Sequence, residues 1–572
     1  MKRTTRAAVA LLPLIALAAC TGSSTPTSPA APETSVAPAP PVALPASVTQ
    51  KQNERVPAGA MWSEHYFPST DGVELHADVL LPAGLKAGDK VPVILMVGPY
   101  FAHAGMAQPE GHKSAGPSGR FVGLIDEGRI FERGYAMVMV DLRGFGGSTG
   151  CHDLFGPGEQ ADVRAAVDWA ATQSWSSGSV GMFGSSYDGT TPLIGNNLNH
   201  PALKAVVAQA PIWQPYQYFR SGEVPRLAIK SLADVFTDIA TIKPMKDDTK
   251  KYKANATWEK SNPDCLEQIQ QTYRTPDLDS GFWQARDLTA QATGTQTPML
   301  IAMGFLDLNA EPRAVQQFLA NHEGSERAWF GPWDHGGGAR VTEDGKRATG
   351  RTGWVQEEVM PFFDQYLKGT DPTTTSPAFQ IQDSNGTWRS QDNWPVADQT
   401  VHLPIGGGTY TDKGEAITSG TVFTRHAQPQ AKAVRITGTP RITLTAAGKG
   451  NVMTKLYDVA PNGEAVMFNL QVSQISSGET MLEFKSNDWT LNPGHVLAVT
   501  IGSIDDRIEW YGKPSNQKIT IEDAVLALDL DDPADDVVAK GKKAPELSLY
   551  RENHTATLDL DEAEATFEIA LD

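Results

Sequence analysis

Val180-Gly-Met-Phe-Gly184-Ser185-Ser186-Tyr187-Asp188-Gly189 sets a serine between glycines directly after a short apolar run. Such a run fits a strand buried on both faces of a parallel sheet. The segment from Thr190 reads as helix, so Ser186 falls on a tight strand-to-helix turn. There a hydroxyl projects above the sheet, and small neighbours let the backbone take the strained turn. The free N–H groups of the helix N-terminus then face the place where an oxyanion would form. Asp188 stands where the usual G-x-S-x-G pattern has glycine, so the pattern here is G-x-S-x-x-G. Ser185 is the rival nucleophile, but it lacks a glycine two residues before it.

A serine on such a turn needs an acid and then a histidine later in the chain, each at the carboxyl end of a strand. Met299-Leu-Ile-Ala-Met-Gly-Phe-Leu-Asp307 ends an apolar strand in a carboxylate, and Trp329-Phe-Gly-Pro-Trp-Asp-His335-Gly-Gly ends the next in a histidine on a glycine-rich loop. The order Ser186, Asp307, His335 would let His335 take the serine proton while Asp307 holds the imidazole tautomer and stabilises the imidazolium. Competing readings exist. Asp307 could cap the following helix, His335 could sit on a surface turn, His322 could replace it from the end of that helix, and Asp334 could replace Asp307 through a sharp turn.

Around these motifs strands and helices alternate. Apolar runs at 73–81, 91–97, 136–140, 180–183, 206–207, 299–303 and 328–330 predict strands, and helical patterns cover 159–173, 311–321 and 354–367. The succession predicts a doubly wound α/β domain in two parts, 56–212 and 294–371. Residues 213–293 lack an apolar strand of useful length and carry Leu266, Ile269 and Tyr273 at helical spacing, which predicts an inserted, mainly helical cap. From 372 to 572 short alternating runs separated by Gly, Asn and Asp predict a β-sandwich.

The N-terminus sets a compartment. Lys2, Arg3 and Arg6 precede an apolar run that ends at Leu17-Ala18-Ala19-Cys20, so 1–20 is expected to be an export signal. Its ending resembles a bacterial lipobox, in which Cys20 carries lipid, against the alternative of an ordinary signal with a chance cysteine. A Pro, Ser, Thr and Ala tract over 21–55 follows as a disordered tether. Membrane association through that lipid, at the outer face of the cell envelope, is the expected location.

Composition narrows the partners. The chain has 572 residues, 40% hydrophobic and 20% charged, which predicts about three structural units and excludes both a polytopic membrane protein and a wholly disordered chain. A net charge of -19 argues against nucleic acid, and loss of the signal makes it about -22. Three cysteines cannot be a disulfide framework, yet after export Cys151 and Cys265 could tie the cap to the catalytic domain; two buried thiols are the alternative. No His and Cys cluster has metal-ligand spacing and no P-loop or dinucleotide fingerprint is present, so no metal or other cofactor is expected.

Together, Gly184-Ser-Ser186-Tyr187-Asp-Gly189, Asp141-Leu-Arg143-Gly144-Phe-Gly146, Gly331-Pro332-Trp333-Asp-His335 and Gly98-Pro99-Tyr100 resemble the serine hydrolases grouped with bacterial cocaine esterase and the X-prolyl dipeptidyl-peptidases. The resemblance spans nearly the whole chain after the tether. It implies an α/β-hydrolase with an inserted helical cap and a C-terminal jelly-roll, and its nucleophile motif carries the same extra spacer. It also implies an oxyanion hole from the Tyr100 hydroxyl and the Tyr187 backbone N–H. Tyr100 has its own rationale, since it follows a buried strand and a phenol can donate to an oxyanion. The implied reaction is cleavage of an ester or amide through an acyl-enzyme. Asn309 and Ala310 stand where amino-acid ester hydrolases carry acids, which disfavours that subgroup, while Asp307-Leu-Asn309-Ala-Glu-Pro312 is similar to the D-x-N-x-x-P run of the X-prolyl peptidases. Glu223 is the candidate contact for a substrate amine, against the reading of a solvated charge. The alternative function is a non-catalytic surface lipoprotein whose degenerate hydrolase domain binds peptide or carbohydrate. Homo-oligomer formation stays open.

Overall fold

The computed structural model describes residues 48–49, 52–226, 229–374, 376–414, 420–504, 510–558, 560 and 565–571. Cys20, the signal and nearly all of the 21–55 tract lie outside them.

An eleven-stranded mixed sheet forms the first part of the fold. Its strands, with an intervening two-stranded hairpin, are β1 (Val48–Thr49), β2 (Ala60–Pro68), β3 (Glu74–Pro82), β4 (Val91–Gly98), β5 (Ala136–Asp141), β6 (Ser176–Ser185), β7 (Leu203–Gln209), the hairpin β8 (Arg220–Ser221) and β9 (Val224–Pro225), β10 (Met299–Gly304), β11 (Glu326–Gly331), β12 (Phe379–Gln382) and β13 (Trp388–Gln391). The spatial order is β1-β2-β3-β5-β4-β6-β7-β10-β11-β12-β13, parallel from β5 through β12 and antiparallel at both margins. The order reverses at β4 and β6, which places the carboxyl ends of these strands at a topological switch point, the usual ligand crevice of an open α/β sheet.

Alternation along β4 shows why the strand reads as continuously apolar. Val93, Leu95 and Val97 join the core beneath α2 (Pro157–Thr172) and α3 (Tyr187–Asn197), whereas Ile94 and Met96 join a second core on the opposite face with Phe362 and Phe363. Both faces are covered, so no polar position is tolerated.

The helices depart from expectation in three places. The helix after Ser186 starts at Tyr187 rather than near Thr190. The helix expected over 311–321 is reduced to Val315–Asn321, because Glu311 and Arg313 turn inward as an ion pair and Ala314 takes a left-handed conformation (φ 62°). The one expected over 354–367 opens as a π-helix, Trp354–Val359, and continues as an α-helix at Met360–Lys368.

Between β7 and β10 short helices run from Pro215–Phe219 to Leu288–Gln291 and form the cap. The β domain starts later than residue 372, since β12 and β13 extend the eleven-stranded sheet; its first strand is Gln399–Pro404. It packs a six-stranded and a five-stranded sheet around Ile442, Leu444, Val499, Ile501, Leu526 and Leu528. Two of its strands, Val434–Ala447 and Lys518–Asp531, reach 14 residues, longer than the short runs legible in sequence, because register shifts let one strand bend and continue. The architecture is an α/β-hydrolase followed by an all-β domain.

Candidate active site

Ser186 joins β6 to α3 with φ 67° and ψ −126°, a conformation costly for a residue with a side chain. Neighbouring backbone holds it there: its N–H donates to the Gln209 carbonyl at 2.9 Å, and its carbonyl accepts from the N–H groups of Gly189 and Thr190 at 2.9 and 3.0 Å. The flanking glycines are required by space. A Cβ at Gly184 would lie 1.5 Å from the Asp188 carbonyl oxygen, and one at Gly189 would lie 2.4 Å from that of Gln209. The second glycine therefore belongs at 189, where the helix passes the end of β7, and position 188 is free to carry a side chain.

Asp188 uses that freedom. Its buried carboxylate accepts a two-pronged hydrogen bond from Arg120 at 2.6 and 2.7 Å, and Arg120 also donates to the Ser185 carbonyl at 2.8 Å. The same guanidinium lies 4.3 Å from the centre of the Tyr100 ring. One ion pair thus braces the nucleophile turn and the ring of the tyrosine beside it. Neither Arg120 nor the role of Asp188 was read from the sequence; the signal was the non-glycine at position 188.

Across the crevice, Asp307 follows β10 and His335 follows β11. His335 Nε2 stands 2.8 Å from Ser186 Oγ, and its Nδ1 stands 2.8 Å from Asp307 Oδ2. The other Asp307 oxygen accepts the N–H groups of Asn309 and Ala310 at 2.8 and 2.9 Å, so the carboxylate is fully buried yet satisfied on both oxygens. Asp307 thus also receives the turn that would have been its helix-capping role. Burial pushes the His335 imidazole toward neutrality, but the charge and hydrogen bond of Asp307 outweigh it and raise its pKa above the ordinary value.

Tyr100 lies two residues beyond β4, half-buried, with its ring edge-on to that of Tyr187 and centroids 6.5 Å apart. Burial raises the phenol pKa, which keeps it a proton donor. Tyr187 is the first residue of α3, and its N–H is among those that no earlier helical carbonyl can satisfy. Its own hydroxyl is committed elsewhere, donating to buried Glu159 at 2.7 Å.

The competitors lie elsewhere. His322 is buried between Glu326 and the Thr297 carbonyl. Asp334 is exposed, with Oδ1 accepting the Leu308 N–H at 3.3 Å. Ser185 is the last residue of β6 and offers its carbonyl to Arg120. Glu223 is exposed in the turn of the β8–β9 hairpin at φ 69°, and the adjacent Gly222 packs on Ser473 of the β domain. The cap reaches the acid loop instead through the Tyr218 hydroxyl, 3.2 Å from Asn309 Oδ1, and through Arg226, which donates to the Leu308 and Asn309 carbonyls. Cys151 and Cys265 are joined as a disulfide with Cα atoms 4.9 Å apart, tying the cap helix Asp264–Arg274 to the loop after β5.

Residues 71–337 match the family model described as X-Pro dipeptidyl-peptidase (S15 family). A putative Xaa-Pro dipeptidyl-peptidase of Streptomyces avermitilis is 25% identical over 438 residues, which span 67% of this chain and 61% of that protein. Cocaine esterase of a Rhodococcus species is 27% identical over 428 residues, 69% of this chain and 67% of the esterase. In fold the chain is similar to an α-amino acid ester hydrolase, with a TM-score of 0.65 at 19% identity over 88% of this chain and all of the other. An aminopeptidase from a Thaumarchaeota archaeon gives 0.63 at 20% identity, over 84% and 98%. The resemblance read from the motifs is borne out: over these residues the chain is similar to the X-Pro dipeptidyl-peptidases and to cocaine esterase.

Proposed function

We propose that this relative of the S15 serine hydrolases cleaves an ester or amide bond through an acyl-enzyme on Ser186. The observation that carries the reading is the continuous hydrogen-bonded line Ser186–His335–Asp307, with both bonds at 2.8 Å. His335 Nε2 takes the proton as Ser186 Oγ attacks the substrate carbonyl carbon, and the imidazolium is stabilised by Asp307. The carbonyl oxygen, now an oxyanion, is held by the Tyr100 hydroxyl and the Tyr187 N–H. The carbon–heteroatom bond breaks as His335 returns the proton to the leaving alcohol or amine. Water then attacks the acyl-enzyme by the same steps in reverse order and frees the acid.

The acyl donor is an X-Pro peptide or an aromatic or short acyl ester. The D-x-N-x-x-P run at 307–312 supports the peptide, and the Asn309 side chain that it places against Tyr218 supports a polar recognition element beside the acid. We place the enzyme outside the cytoplasm, anchored by lipid on Cys20, on the strength of the basic, apolar and small-residue order of 1–20.

Labelling with a fluorophosphonate followed by peptide mapping tests the reaction. Label on Ser186, abolished by Ser186→Ala, is expected; folded protein that takes no label there would instead be the non-catalytic binder. Comparing an X-Pro anilide with short acyl esters separates the substrates, and turnover of esters alone removes the peptidase. Metabolic labelling with palmitate that survives Cys20→Ala would refute the anchor.

A further inference from the structure

Glu64 on β2 and Asp78 on β3 are directly opposed in the antiparallel ladder, and Tyr66 opposes His76 in the next same-face pair. Glu64, His76, Asp78 and His103 are all at most 1% exposed. Two carboxylates face to face in a sealed interior repel each other unless something positive lies between them. Two imidazoles face the same place, His76 from β3 and His103 from the loop three residues beyond Tyr100.

The orientation of both rings is set from behind. His76 Nδ1 stands 2.8 Å from Asp141 Oδ2, and His103 Nδ1 stands 2.6 Å from Asp248 Oδ1. Each ring therefore turns its Nε2 toward the cluster, and a carboxylate behind the distal nitrogen is the arrangement that orients metal-bound histidines. His103 Nε2 lies 3.3 Å from Asp78, and His76 Nε2 lies 3.9 Å from it. One donor atom each from Glu64, His76 and His103 lie within 4.8 Å of one another. His76 Nε2, though fully buried, has no hydrogen-bond partner, while Asp78 Oδ2 meets His103 Nε2 at 3.3 Å; a buried polar atom left as His76 Nε2 is has a cost that calls for an explanation.

We propose that Glu64, His76, Asp78 and His103 bind a divalent metal ion of the zinc class. Two imidazole nitrogens and two carboxylate oxygens form a tetrahedral donor set for such an ion, with bonds of about 2.0–2.2 Å. That brings donors to about 3.5 Å apart, so the Glu64, His76 and His103 atoms, now within 4.8 Å of one another, would draw inward on binding. Other groups around the site fit as supports. Tyr66 and Thr249 donate to Glu64 Oε1 at 2.6 and 3.0 Å, Trp62 Nε1 donates to Asp78 Oδ1 at 2.7 Å, and the Tyr252 ring stacks on His103 with centroids 4.1 Å apart. Arg55 donates to the His103 carbonyl from the rim. The ion would join β2, β3, the loop that carries Tyr100 and the base of the cap at Asp248 and Tyr252. It is a structural clamp with no part in the proton transfer at Ser186, and zinc binding by Ser186→Ala tests it separately from the proposed chemistry.

The test uses the full chain, purified without a histidine tag, treated with chelator, incubated with excess Zn2+ and desalted. One equivalent of zinc is expected by mass spectrometry, with a higher melting temperature than the chelated protein. Ser186→Ala should retain the equivalent, and His76→Gln and Asp78→Asn should each lower affinity at least tenfold. Should those variants fail to fold, X-ray absorption at the zinc edge of the unsubstituted protein decides, with two imidazole shells expected. Less than a tenth of an equivalent bound, undiminished binding in folded His76→Gln, or coordination without imidazole would overturn the proposal.

Discussion

Replacing Tyr100 by Phe removes one oxygen from the site and little else. The ring should stay in place, because its face lies 4.3 Å from the Arg120 guanidinium and its edge-on contact with Tyr187 has a centroid distance of 6.5 Å. The lost hydroxyl is kept protonated by burial. If it donates to the oxyanion, its contribution arises mainly in the transition state. Deleting one such donor elsewhere costs about 2.7–4 kcal/mol, so kcat should fall roughly 10²- to 10³-fold. KM should change little, since the ground-state carbonyl carries little of that charge. The residual rate should exceed that of Ser186→Ala, because the Tyr187 N–H remains. Steady-state kinetics on an activated acyl ester, with circular dichroism to confirm the fold, reads this out. A kcat within about threefold of the parent, or a loss confined to KM, would show that Tyr100 packs the crevice and does not hold the oxyanion.

Three further expectations follow from the same geometry. Since His335 must be neutral to accept the serine proton and Asp307 raises its pKa, kcat/KM should fall toward acid with an inflection above the ordinary imidazole value of about 6.5; a profile level down to pH 5 would contradict this. Asp188→Ala leaves the largely buried Arg120 charge without its partner and should destabilise the fold by about 3 kcal/mol in urea titration, whereas an unchanged midpoint would mean that the guanidinium simply turns to solvent. Opening the Cys151–Cys265 bond releases a loop of 114 residues, and the chain-entropy model puts that loss at about 4–5 kcal/mol; equal urea midpoints for Cys265→Ala and the parent would refute it.

What the amino-acid sequence determined is whatever depends on neighbours along the chain. The strand, serine and glycines at 180–189 are local, and so are the carboxylate and the histidine that end their own strands at 307 and 335; each could be read without knowing its partner. The same holds for the continuous apolar strands, because burial on both faces leaves a signature in every consecutive residue. Helix limits were less legible at 311–321 and 354–367, where an inward ion pair and a π-helical opening override local spacing. Tertiary structure alone decided the rest. It selected His335 over His322, which finds Glu326 nearby, and it moved the start of the β domain past β12 and β13, whose pairing partners precede them in the chain. It also joined Arg120 to Asp188, grouped Glu64, His76 and His103, and set Asp78 against Glu64 and His103, residues scattered over three segments. Contacts of that kind depend on which strands the sheet sets side by side, a choice made by the summed burial of whole elements and carried by no local pattern.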